Sequence, residues 1–242
     1  MVNLSFLGMD TPESYDLIFF DFDGLLVNTE RLHYEAYLEM CRARGVDLGW
    51  DFAKYRLVAH AAFPGIRDSL YAEFPALQLQ EPKWSVLYLE KKQAYEKILS
   101  NGSVELMPGV LQMLDFLDEK GIPSCVVTNS FLSQTLAVRK KIPALERIPN
   151  WITREDYVGA KPAPDPYLTA KKRYAKPGDR IVGFEDTLKG LEALIGAGIE
   201  GVVISDFLTP EFKQTLEEKN TTYFSSFETL LSSYCTLTRN NP

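Results

Sequence analysis

Apolar positions along the chain fall into two patterns. Residues 17–20, 125–127, 181–184 and 201–204 are short continuous apolar runs, with a weaker one at 151–153. Runs without alternation suit strands buried on both faces of a parallel sheet. Between them lie helical spacings at 110–119 (after Pro108-Gly109), 133–141, 167–174 and 188–197. Strand and helix in regular alternation predict an α/β fold built on a doubly wound parallel sheet.

One interval departs from this rhythm. From residue 30 to residue 102 the chain offers helical patterns, clearest at 33–44, 66–74 and 84–99, and no convincing strand. About 70 residues suffices for a small domain. The expected organisation is an α/β core of residues 1–29 and 103–242 and an inserted, smaller all-helical domain of residues 30–102. The polar stretch Ser100-Asn101-Gly102-Ser103 reads as one linker, and residues 29–32 as the other crossing. The polar tail, residues 236–242, is expected to fray.

Composition narrows the function without naming it. The 242 residues are 45% hydrophobic and 24% charged, ordinary for a globular protein able to bury a core. The net charge is −7 and the pI about 5.0. That balance argues against nucleic acid, which needs a basic face, but leaves room for a small anionic substrate met by a local cation. Cys41, Cys125 and Cys235 are widely spaced and odd in number, so neither a disulfide framework nor a zinc site is expected. The opening decapeptide lacks the basic-then-apolar order of a signal peptide, and no apolar run could span a bilayer. The expectation is a cytoplasmic protein with no membrane partner, monomer favoured.

The chemistry lies in what terminates the strands. Residues 17–20 run into Asp21-Phe22-Asp23-Gly24, residues 125–127 into Thr128-Asn129-Ser130, and residues 181–184 into Glu185-Asp186-Thr187. Open α/β sheets bind ligands beyond the carboxyl ends of their strands, so these groups should converge on one crevice. Four carboxylates there, Asp21, Asp23, Glu185 and Asp186, call for a cation, and oxygen-only ligation suits Mg²⁺. Thr128 offers a hydroxyl, and the N–H groups after it open a helix, a ready phosphate cradle; the same hydroxyl could cap that helix. Lys161, in Gly159-Ala160-Lys161-Pro162, supplies a positive charge from a loop stiffened by prolines. Metal, hydroxyl and lysine together would neutralise a transferring phosphoryl group. A calcium loop is excluded, since Leu25 stands where a third oxygen ligand is needed.

Asp21-x-Asp23-Gly24, Thr128 after its apolar strand, Lys161-Pro162-x-Pro164-Asp165 and Glu185-Asp186-Thr187 resemble, in order, the four motifs of the haloacid dehalogenase superfamily. The resemblance implies a Rossmann-like core. It implies Asp21 as a nucleophile that forms an aspartyl-phosphate, and Asp23 as general acid and base. Asp23 favours phosphate chemistry over carbon–halogen cleavage. Mg²⁺ would be held by the Asp21 and Asp186 carboxylates and the Asp23 backbone carbonyl, with Glu185 close or ligating. Thr128, Asn129 and Lys161 would bind the phosphoryl oxygens of a small phosphorylated metabolite, such as a sugar phosphate.

The helical insert resembles the four-helix cap of the subfamily that contains phosphoglycolate phosphatase and beta-phosphoglucomutase, which closes over the site and reads the leaving group. His33, Lys91 and Arg56 are the substrate-binding candidates there, with His60 and Arg67 as further ones. Each has a plainer reading as a packed or solvated residue, and Trp50, Trp84 and Trp151 read as packing. Two positions depart from the pattern. Asn28 replaces an Asp often found before Thr29, and Ala59 stands where relatives carry glycine in the specificity loop. The expected activity is a Mg²⁺-dependent phosphatase, with a phosphosugar mutase of the beta-phosphoglucomutase type as the alternative. A non-catalytic phospho-ligand module fits less well, because every catalytic role is filled.

Overall fold

The computed structural model describes residues 14–61 and 65–238, and side chains to residue 234. The opening decapeptide, the Cys235 side chain and residues 239–242 lie outside the described residues. The chain divides into two compact units, Met1–Asn28 with Glu105–Pro242, and Thr29–Val104.

The first unit is built on six parallel strands: β1 (Leu17–Phe20), β2 (Ser124–Val127), β3 (Asn150–Ile152), β4 (Ile181–Glu185), β5 (Glu200–Ile204) and β6 (Tyr223–Phe224). Their order is β3-β2-β1-β4-β5-β6, so the winding direction reverses at β1 and a crevice is left beyond the carboxyl ends of β1 and β4. The helices are α6 (Val110–Lys120), α7 (Leu132–Lys141), α8 (Asp165–Tyr174), α9 (Leu188–Gly196), α10 (Pro210–Glu218) and α11 (Phe227–Thr238). The two short strand and helix segments after β5, and α11, were not read from sequence; β6 is only two residues long and carries no period.

Register fixes what stands at the crevice. Phe20 pairs with Phe184 across β1 and β4 and with Val126 across β1 and β2. The next residues out, Asp21, Glu185 and Val127-Thr128, are therefore neighbours. Alternation sends successive side chains to opposite faces. Phe20 and Phe184 stack at 5.5 Å and meet the edge of Phe227 at 5.8 and 5.4 Å. Phe19 faces the other way into a cluster with Val127, Ile152, Tyr167 and Leu194. Gly183 is required on that face, because a Cβ there would fall 2.2 Å from Leu194 Cδ2.

The second unit holds five helices among the described residues: α1 (Glu30–Ala43), α2 (Phe52–His60), α3 (Ile66–Glu73), α4 (Pro75–Gln80) and α5 (Trp84–Asn101). The expected four become five because Phe74 ends α3 and begins α4; Pro75 cannot continue a helix but fits its first turn. Helix α2 starts at Asp51, whose carboxylate accepts from Lys54 N–H at 2.7 Å. Ser100 and Asn101, read as linker, are the last residues of α5, and Gly102 caps it. A core of Tyr34, Tyr37, Trp50, Tyr55, Leu70 and Leu87 fills this unit, with Trp84 packed against it.

Phe227 anchors the back of the two strands that carry the crevice. Phe227→Ala should cost about 3–5 kcal/mol in urea unfolding, whereas Leu79→Ala, at a site 86% exposed, should stay within about 0.5 kcal/mol. Equal effects would contradict this packing.

Candidate active site

Four chain segments deliver the polar groups. Asp21 follows β1, its N–H donating to Phe184 O at 3.0 Å. Glu185 ends β4 and Asp186 follows it, Thr128 follows β2, and Lys161 lies in the loop before α8. Asp21, Glu185 and Asp186 are buried and each offers an oxygen within 4.8 Å of the others. Close approach of backbone is what admits them. A Cβ on Gly24, whose φ is +85°, would sit 2.3 Å from Asp186 Oδ2.

Lys161 is the hub. Its Nζ donates to Asp21 Oδ1 at 2.5 Å, Glu185 Oε1 at 2.6 Å and Val127 O at 2.7 Å. These bonds use its three protons. Burial works to lower the lysine pKa, yet Asp21 and Glu185 outweigh it and the net shift is upward. Asp21 is also raised, from 3.8 to about 7, chiefly by burial; Lys161 lowers it, while Glu185 and Asp23 raise it further. A buried carboxyl that stays raised beside a lysine marks a place with room for more positive charge.

Asp23 stands apart. Its Oδ2 accepts from Ser130 Oγ at 2.5 Å and Thr128 Oγ1 at 3.4 Å, and its side chain is not a member of the three-carboxylate group. Of the four carboxylates read together from sequence, three cluster and the fourth turns to the hydroxyls after β2. Asn129 is exposed, but its Oδ1 accepts from Lys161 N–H and Tyr157 O–H at 3.2 and 2.8 Å. Its carbonyl therefore braces the lysine loop.

Three of the N–H groups that open α7 meet protein acceptors. Ser130 N–H donates to Thr128 Oγ1, Phe131 N–H to Gln134 Oε1, and Leu132 N–H to both oxygens of Glu155 at 3.1 Å. Thr128 does not cap the helix, since Phe131 is the N-cap residue.

In the helical unit, Lys91 is buried, with Nζ 2.6 Å from His33 Nδ1 and the rings of Tyr37 and Tyr95 at 5.0 and 5.3 Å. A solvated face is thus excluded for Lys91. His33 stacks on Tyr95 at 4.3 Å. Arg56 and His60 both converge on Glu30, at 3.0 and 2.5 Å. Arg67 is exposed and bonds its neighbour Asp68.

Sequence reasoning did not single out Ser130, Tyr157, Tyr167 or Gly190. Ser130 and Tyr167 lie inside or beside the motifs. Gly190 carried a signal, because glycine within a helix costs about 1 kcal/mol and calls for a reason. A Cβ there would lie 1.9 Å from the Glu185 carboxylate.

The donor set fits a hard divalent cation: three carboxylates, no sulfur or imidazole, and a buried Glu185 Oε2 with no hydrogen-bond partner. Among the described residues no helix is long and apolar enough to cross a membrane.

Comparison with known proteins supplies context. The profile of haloacid dehalogenase-like hydrolases matches residues 15–198. Protein CbbY of Cereibacter sphaeroides is 32% identical over 201 residues, covering 80% of this chain and 86% of that one. A phosphorylated carbohydrates phosphatase of Thermotoga maritima is 26% identical over 192 residues, covering 77% and 83%. A crystal structure of a CbbY variant from Rhodobacter sphaeroides with xylulose-(1,5)bisphosphate superposes with a TM-score of 0.69 at 27% identity, covering 88% of this chain and 95% of that one.

The raised Asp21 carboxyl has a stability consequence. Between 3.8 and about 7 the folded chain holds a proton that the unfolded chain has lost, so this group's contribution falls as pH rises through that window and is level above it. In EDTA, wild type should lose thermal stability relative to Asp21→Asn from about pH 4 to about pH 7. A difference that is flat or reversed over this range contradicts the assignment.

Proposed function

The chain belongs to the haloacid dehalogenase-like hydrolases, and on that premise we propose that it is a Mg²⁺-dependent phosphatase of a small phosphorylated metabolite. The observation that carries this reading is the unequal treatment of two aspartates two residues apart. Asp21 is buried against Lys161, whereas Asp23 is held by Ser130 and Thr128. Environments that separate two carboxylates assign them different tasks.

Asp21 Oδ2, the oxygen not bonded to Lys161, is the atom offered to phosphorus. Attack forms the Asp21 O–P bond and breaks the P–O bond to the leaving alcohol, to which Asp23 gives a proton. Asp23, now ionised, takes a proton from water as that water attacks phosphorus, releasing inorganic phosphate and restoring Asp21. On this reading Lys161, its protons held by Asp21, Val127 and Glu185, lends positive charge beside the phosphoryl group, and the Thr128 hydroxyl would bind a phosphoryl oxygen. Asp21, Asp186, Glu185 and the Asp23 carbonyl would hold Mg²⁺, which supplies charge neutralisation when bound.

The relatives narrow the substrate class. One is named as a phosphatase of phosphorylated carbohydrates and another was crystallised with a sugar bisphosphate, which supports a phosphorylated sugar or similar polyol. On the same reading, Thr29–Val104 is the cap domain.

Inorganic phosphate released from a panel of sugar and polyol phosphates tests the proposal. Release should require Mg²⁺, stop in EDTA, and fall by at least about a thousandfold in Asp21→Asn. Undiminished release by that variant contradicts the mechanism. Isomerisation of a sugar phosphate without net release would reassign the chain as a mutase.

A further inference from the structure

Tyr167 is the third residue of α8, fully buried, with its ring 6.1 Å from Phe19. Its side chain ends in a phenolic hydroxyl, an ordinary O–H donor. That hydroxyl donates to Glu185 Oε1. Lys161 Nζ donates to the same oxygen at 2.6 Å, lies 3.2 Å from the Tyr167 hydroxyl oxygen, and sits 4.8 Å above the ring centre. One oxygen of Glu185 thus receives two donors.

The other oxygen receives none. Glu185 Oε2 is buried without a hydrogen-bond partner. Gly190 backs the group: its missing Cβ would lie 1.9 Å from both Cδ and Oε2 and 2.3 Å from Oε1. Glu185 is therefore wedged between a helix backbone on one side and two donors on the other. Tilting the carboxylate out of this orientation would break both bonds at once.

We infer that Tyr167 is a positioning residue: by sharing Glu185 Oε1 with Lys161 it fixes the orientation of that carboxylate beside Asp21 and Asp186, and so sets the affinity of the acidic cluster for a divalent cation. The inference rests on the Mg²⁺-dependent reading above and extends it to a residue outside the four motifs. Its physical basis is general, because groups that orient a ligating carboxylate govern metal affinity about 10–100-fold.

Calorimetric titration of Mg²⁺ into the substrate-free full-length protein tests it without reference to turnover. Tyr167→Phe keeps the ring and its packing on Phe19 and removes only the hydroxyl. It should weaken Mg²⁺ binding by about 10–100-fold with unchanged far-UV circular dichroism. In a Glu185→Gln background the same substitution should have no further effect, since Tyr167 acts through that carboxylate. Binding by Tyr167→Phe within about twofold of wild type overturns the inference, as does an equal loss in both backgrounds. Wild type that binds no Mg²⁺ overturns both the inference and the reading beneath it. Wild type that binds normally beside an unaffected Tyr167→Phe overturns the inference alone.

Discussion

The ammonium of Lys161 binds the ends of three strands into one object. It reaches Asp21 beyond β1, the Val127 carbonyl at the end of β2 and Glu185 at the end of β4. Burying such a charge is costly, and only close, fully used hydrogen bonds offset it. Those bonds leave the lysine no freedom to move without leaving a carboxylate buried and uncompensated. The surrounding architecture serves the same constraint. Asn129 and Tyr157 brace the loop that carries Lys161. Gly24 and Gly190 let backbone approach the carboxylates where any side chain would displace them.

Lysine does not complete the charge balance. Asp21 remains raised to about 7 although Lys161 lies 2.5 Å away, because burial and the neighbouring carboxylates outweigh a single ammonium. The result is a pocket of oxygen ligands still short of positive charge, at the switch point of a parallel sheet. A divalent cation answers that deficit, and it in turn complements an anionic phosphoryl group. Asp23, two residues along, bonds to the hydroxyls of Ser130 and Thr128; on the proposed reading it moves protons while Asp21 carries the covalent step.

Much of this was legible in the sequence. Continuous apolar runs located the five longest strands, the polar residues that end them named Asp21, Asp23, Thr128, Glu185 and Asp186, and the proline-flanked loop named Lys161. What escaped were features set by distant partners. Glu155, 23 positions from Leu132, accepts the Leu132 N–H at the start of α7. Tyr167 meets Glu185 from 18 positions away, and no local pattern shows which buried tyrosine will do so. Arg56 and His60 could be read as packed, solvated or substrate-facing, and nothing local showed that Glu30 meets both. Helix α4 was missed because it is six residues long, and its proline start is visible only once a helix is expected.

The central claim is that Asp21 becomes covalently phosphorylated. Rapid-quench trapping tests it most directly: react the full-length protein with acetyl phosphate and Mg²⁺, quench in acid, reduce with borohydride, and map the peptides by mass spectrometry. The account predicts conversion of Asp21 alone to homoserine, the reduction product of an aspartyl-phosphate, and none in Asp21→Asn. Turnover with no modification of Asp21, or trapping at another residue, would contradict it.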